Sequence, residues 1–165
     1  MHRQYTRTSY LEKIEHLRKR CPSIAVTADV MVGFPGEEEE DFVQTLDLME
    51  KVRFDDLYSF KYSPRKGTAA ALFEDQVESG VKEQRLSILQ KRQKEITYER
   101  NKALEGSEVE VLVEGRSKQS AQEMTGRTRT NKIVNFNGDF RLVGNLIHLR
   151  ITKAYPHSLR GERMA

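Results

Sequence analysis

Gly33 and Gly36 close an apolar run in "DVMVGFPGEEEEDF" (residues 29–42) and are followed at once by Glu37, Glu38, Glu39, Glu40 and Asp41. A Gly-x-x-Gly turn that opens a helix offers free backbone N–H groups at the positive end of the helix dipole, the makings of an anion site. Here five carboxylates already fill that place. They satisfy the dipole and repel a phosphate, and the turn lacks the Lys of a phosphate-binding P-loop. The chemistry argues against a nucleoside triphosphate and for a ligand with ammonium or hydroxyl groups. Alternation in the preceding run puts Ala28, Val30, Val32 and Phe34 on one face and Thr27, Asp29, Met31 and Gly33 on the other; if the apolar face packs on helices, Asp29 faces the interior of a barrel. Taken alone, Asp29 suits a turn cap or a backbone acceptor at least as well.

Two further stretches carry groups suited to RNA. In "YSPRKGTAA" (62–70), Tyr62 and Arg65 have the means by which single-stranded loops are held, a ring for stacking and a guanidinium for phosphate. A core tyrosine and a solvated arginine fit equally well, and Pro64 and Gly67 make the turn in either case. In "TGRTRTNK" (125–132), period two puts Arg127 and Arg129 on one strand face and Thr128 and Thr130 on the other, with Asn131, Lys132 and Phe136 following. Paired arginines beside hydroxyl and amide groups suit phosphate and sugar contacts, which position RNA without reading its sequence. An exposed hairpin with ordinary surface charge is the plain alternative.

The elements that must position these groups are legible in outline. A helix is expected over residues 9–20, with Ser9 and Glu12 as a capping box, Tyr10, Ile14 and Leu17 at helical spacing, and Pro22 beyond its end. "SIAVTADVMVGF" reads as a strand buried on both faces, as in a parallel sheet. An amphipathic helix from Glu38 to Val52, with Phe42, Leu46 and Met49 on one side, leads to a second strand in "DDLYSFKYSP", where Tyr58, Phe60 and Tyr62 share a face. Strand, helix, strand is the crossover unit of an α/β sheet or barrel. A long charged helix over Val81–Leu104 follows, with Leu86, Leu89 and Ile96 as its stripe and Gly106 as its stop. Beyond it, "SEVEVLVEG", "MTGRTRTN", "KIVNF" and "NLIHLRITKAY" are short β-rich runs separated by Gly and Asn, the pattern of a small antiparallel barrel. The fold class expected is therefore α/β followed by all-β, with residues 1–79 as part of a (β/α) barrel, 80–105 as a linking helix, and 106–165 as an OB-like barrel.

Composition narrows the function. Of 165 residues, only Cys21 is a cysteine, so the chain holds neither a disulfide framework nor a cysteine-based metal site of its own. That usage suggests the cytoplasm, and no apolar stretch has the roughly 20 residues of a membrane helix. Net charge is +3 but unevenly spread. Residues 1–105 carry 18 Lys+Arg against 19 Asp+Glu, whereas residues 106–165 carry 10 against 6. The basic third points modestly to a polyanionic partner.

Three segments, "MHRQYTRTSYLEKIEHLRKRCPSIAVTADVMVGFPGEEEEDF", "VRFDDLYSFKYSPRKGTAA" and "TGRTRTNKIVNF", together resemble the C-terminal part of the MiaB-type methylthiotransferases. These are radical S-adenosylmethionine enzymes that add a methylthio group to isopentenyl-adenosine beside the tRNA anticodon. The resemblance implies a partial chain: the end of the radical barrel followed by a TRAM domain, with the N-terminal portion and its cluster cysteines elsewhere. It implies S-adenosylmethionine and two iron–sulfur clusters in the parent enzyme and none on this chain, which alone is expected to be inactive and to have no catalytic residue or metal ligand. By resemblance, the loop of Gly33, Phe34, Pro35, Gly36 and Glu37, with Thr27 and Asp29 before it, helps wall the S-adenosylmethionine site. The expected partners are the tRNA anticodon stem-loop, held by Tyr62, Arg65, Arg127, Arg129, Asn131, Lys132 and Phe136, the missing N-terminal portion, and further copies of the chain pairing through exposed barrel edges. Related enzymes act on threonylcarbamoyl-adenosine in tRNA or on a ribosomal protein. "GRTRTNKIVNF" contains no carboxylate, which favours RNA over a basic protein loop.

Overall fold

The computed structural model describes residues 4–118, 120 and 122–164. Its contacts divide the chain into two compact units, residues 1–94 and 95–165.

The first unit opens with α1 (Arg7–Arg20). Its cap is Thr6, whose side chain accepts from the Ser9 N–H, so the helix starts almost a full turn earlier than the Ser9/Glu12 box predicts. Strand β1 (Thr27–Val32) is joined through α2 (Glu39–Val52) to β2 (Asp56–Lys61), and the two strands run parallel, with Asp29 opposite Tyr58 and Met31 opposite Phe60. Glu38 and Asp41 cap α2 reciprocally, so part of the acidic run is used on its own helix. Asp55, buried, accepts from the Val26 N–H at 3.0 Å and thereby fixes the register at the strand entrance.

The core of this unit is Val32, Phe42, Met49, Val52, Phe54 and Leu89. It lies on one side of the sheet only. Thr27, Asp29 and Asp56 are exposed, as are Tyr58 at 74% and Phe60 at 44%, which corrects the expectation that β1 is buried on both faces. Tyr62 does not share the Tyr58/Phe60 face either. It lies past the strand end, where its N–H bonds the Val32 carbonyl, and it is buried.

Helix α3 (Ser79–Lys102) follows a single 3-10 turn at Ala69–Leu72. Leu89 and Ile96 on its stripe are fully buried. The division between the two compact units falls inside this helix, between Lys94 and Glu95. The cause is a graft at the helix end: Asn101, 3% exposed, donates through Nδ2 to the carbonyl of Tyr155 at 2.9 Å and accepts from Lys132 Nζ at 2.9 Å.

The second unit is a closed five-stranded barrel in the order β3–β4–β5–β7–β6, comprising β3 (Glu108–Arg116), β4 (Glu123–Thr128), β5 (Ile133–Asn137), β6 (Leu146–Ala154) and β7 (Leu159–Arg163). Alternate residues point inward, and Val111, Val113, Met124, Val134, Phe136, Leu149, Ile151 and Leu159 fill it. The barrel expected from the sequence is present, with two differences. Strand β7 falls outside the β-rich runs named above, and its pairing with β5 is parallel, so the barrel is mixed.

Candidate functional site

The β4–β5 hairpin carries the arginines. Strand β4 ends at Thr128, so Arg129 and Thr130 belong to the turn and the period-two face ends at Arg127. Thr128 is buried, and its hydroxyl lies 3.0 Å from that of Thr130 and accepts from the Lys132 N–H at 3.1 Å. Asn131 adopts a positive φ of 62°, a conformation asparagine tolerates better than most residues. Its side-chain oxygen accepts from Arg127 Nη1 at 3.0 Å. The turn is thus organised internally and presents its polar tip outward.

Both arginines are paired across the sheet. Arg127 Nε lies 3.1 Å from Glu114 and Arg129 Nε lies 2.8 Å from Glu110, the two glutamates being on β3. The segment from Gly126 to Phe136 has no carboxylate, but the neighbouring strand supplies them, a pairing that depends on register and is not read from a segment alone. Exposed ion pairs of this kind hold by little, and the Arg129 side chain remains 80% exposed.

Lys132 and Phe136 stand apart from that surface. Lys132 is half-buried and spends its ammonium on Asn101. Phe136 is wholly buried in the barrel core, so it is withdrawn from the RNA contacts expected of it: it lies directly opposite Met124 across the β4–β5 ladder and shares its inward face. Tyr62 needs a similar correction. It packs edge-on against Phe34, with ring centroids 5.2 Å apart, and Lys82 Nζ sits 5.3 Å from its ring centre. Its buried hydroxyl has no hydrogen-bond partner, and its ring has no open face for a base of the RNA. Arg65 is exposed on its turn.

The Gly33–Glu37 loop is closed by its own chain. Gly33 has φ +69°, and a Cβ there would run into the Lys82 stem. Gly36 has φ +78°, donates its N–H to the Asp75 carbonyl at 2.9 Å, and a Cβ there would meet the Asp75 carboxylate. Internal packing therefore accounts for both glycines. Glu37 accepts from the Gly33 N–H at 2.9 Å and from Arg85 Nη1 at 2.8 Å, with both side chains mostly buried. Phe34 is half-buried and Pro35 buried, whereas Thr27 and Asp29 are open to solvent on the sheet face with Tyr58 and Phe60. Lys82, Arg85 and Asp75, which set this loop, were not singled out in the sequence because no local spacing ties them to it.

Among the described residues no group of three or more His, Cys, Asp or Glu could hold a metal ion, and Cys21 is exposed and alone. The thiolates an iron–sulfur cluster needs are not supplied by this chain. No helix of the described residues is long and apolar enough to cross a membrane.

A short, closed five-stranded barrel of this kind is OB-like, and residues 102–163 match the TRAM domain family. The second unit is a TRAM domain. Over 164 residues, 99% of its length, the chain is 54% identical to the tRNA-2-methylthio-N(6)-dimethylallyladenosine synthase of Syntrophus aciditrophicus, covering 36% of that protein. It is 53% identical over 165 residues to the enzyme of the same name from Syntrophobacter fumaroxidans, and 49% identical over 162 residues to that of Moorella thermoacetica, again covering 36% of each. The resemblance to the MiaB-type methylthiotransferases is thereby shown, and the chain spans about a third of the length of these relatives.

Proposed function

We propose that this chain is the tRNA-holding portion of an enzyme that methylthiolates isopentenyl-adenosine next to the anticodon. The observation that carries the reading is the exposed Arg129–Asn131 turn on a TRAM barrel, since guanidinium and amide groups at a rigid hairpin tip meet phosphate and ribose oxygens. Glu110 and Glu114 keep Arg127 and Arg129 oriented in the free chain, and phosphate takes their place when RNA binds.

Iron–sulfur clusters and S-adenosylmethionine would supply the radical chemistry of the parent enzyme, and the residues present here do not fit a cluster. Toward S-adenosylmethionine, the groups still accessible are Asp29 and Thr27 on the open sheet face, whereas Gly33, Pro35 and Glu37 shape the wall behind it. The β1–β2 sheet has no further strand among the described residues, so its edges suit the remaining barrel strands of the parent enzyme or, in the isolated chain, a second copy.

Titrating salt during binding of tRNA to the 165-residue chain tests the reading. Affinity should fall linearly on a log–log plot, and absent or salt-insensitive binding would reject the RNA role. The same experiment with a ribosomal-protein loop peptide separates the protein-modifying relatives.

A further inference from the structure

The aromatic ring expected to meet RNA, Phe136, is inside the barrel, but another is held outside it. Phe140 is 59% exposed and begins a 3-10 turn, Phe140–Leu142, between β5 and β6. The turn is held from several sides. Asp139 accepts from the Arg141 N–H at 2.9 Å and pairs with the Arg141 guanidinium at 2.9 Å. Gly144 donates to the Val113 carbonyl at 2.9 Å, and Val113 donates to the Asn145 carbonyl at 3.0 Å, so the turn is stitched to β3. Leu142 packs against the core. A ring on such a base is held out in water, and the Arg116 guanidinium lies 5.7 Å from its centre.

We propose that Phe140, with Arg116 over it, is a stacking platform for an unpaired nucleobase, at the opposite end of the β3–β4 ladder from the arginine turn. The proposal rests on the RNA reading of the barrel given above. Register fixes the separation: Val111 pairs with Thr128 beside the arginine turn, and Arg116 pairs with Met124 at the far end. With the bulge between Val113 and Gly115, five residues of β3 face four of β4, which places the two points about 13–17 Å apart. One end grips the backbone and the other takes a base, the two kinds of contact by which single strands are held. A guanidinium beside an aromatic face strengthens stacking on it and is tolerant of base identity. Charge complementarity favours RNA over a protein: Arg116 lies over the ring and Arg141 follows it in the turn, with Asp139 as the acid of the turn itself.

The test uses the full chain and two RNA hairpins, one with an unpaired loop carrying 2-aminopurine and one closed by a stable tetraloop on a long duplex. Phe140→Ala should weaken binding to the loop RNA by about 5- to 100-fold and abolish the fluorescence change on binding, while duplex binding and the salt slope stay unchanged. Phe140→Trp should restore both. Because the ring is outside the core, the thermal midpoint of Phe140→Ala should match wild type, and this comparison separates lost stacking from lost folding. Loop binding unaffected by Phe140→Ala overturns the platform while leaving the RNA reading intact, and no RNA binding by wild type overturns both. A change in sedimentation on Phe140→Ala with RNA binding unaltered would assign the ring to a protein interface and overturn the proposal.

Discussion

Arg85 donates Nη1 to both the main-chain carbonyl and a carboxylate oxygen of Glu37, at 3.0 and 2.8 Å, and that same carboxylate oxygen accepts the Gly33 N–H. One guanidinium on α3 therefore sets the loop at the end of β1. Arg85→Ala leaves a mostly buried carboxylate without its counter-charge and should destabilise the first unit by about 3 kcal/mol. Arg85→Lys should recover only part, because one ammonium does not reproduce the forked contact. Urea unfolding, with amide exchange read at Gly33, measures both.

Gly33→Ala forces a left-handed backbone on a residue with a Cβ, at a cost of about 1–2 kcal/mol, and drives that Cβ into the Lys82 stem. Pairing it with Lys82→Ala removes the clash and keeps the backbone penalty. The double variant should therefore be more stable than the sum of the two single changes predicts, which a thermodynamic cycle will measure.

Glu110 and Glu114 compete with phosphate for the hairpin arginines. Glu110→Gln and Glu114→Gln should strengthen RNA binding and steepen its salt dependence. Arg129→Ala should weaken binding on all sequences alike and lower the log–log slope by about 1. Filter binding across a salt series distinguishes these outcomes.

Asn101 is the polar graft between the end of α3 and the barrel. Asn101→Ala leaves the Lys132 ammonium and the Tyr155 carbonyl without this partner and should cost about 1–3 kcal/mol. Thermal unfolding followed by exchange at the barrel amides will show whether the loss is confined to the second unit.

Asp139 is held at about 2, below its ordinary 3.8, by the hydrogen bond from the Arg141 side chain and then by that from its backbone N–H. Because the folded value is the lower one, the carboxylate's contribution to stability is complete above about pH 4 and is lost as pH falls through 2. A carboxyl-carbon NMR titration should place the midpoint near 2, and Arg141→Ala should move it back toward 3.8.

The local devices of this protein were legible in its sequence where one segment contains all the parts. The crossover of β1, α2 and β2, the capping of α2 by its own acids, and the β-rich texture after Gly106 all follow from spacing within ten or so residues. What was hidden depends on partners distant in the chain. Period two along "TRTNKIVNF" does not say which phase faces the core, and Phe136, expected among the RNA contacts, lies inside the barrel. Strand β1 reads as doubly buried because its composition is apolar, yet the described residues cover only one face. The Arg127–Glu114 and Arg85–Glu37 pairs arise from register and helix packing, for which the sequence alone offers no ruler. Nothing in the local spacing of "NGDFRL" sets Phe140 apart from an ordinary turn residue.

Strand β7 lies between β5 and β6, although it follows both in the chain. As the polypeptide emerges during synthesis, β3 to β6 can assemble only into an open sheet with two bare rims, and the ring shuts when Leu159–Arg163 slots in. A chain stopped before Leu159 would keep both rims bare and open to pairing with other molecules.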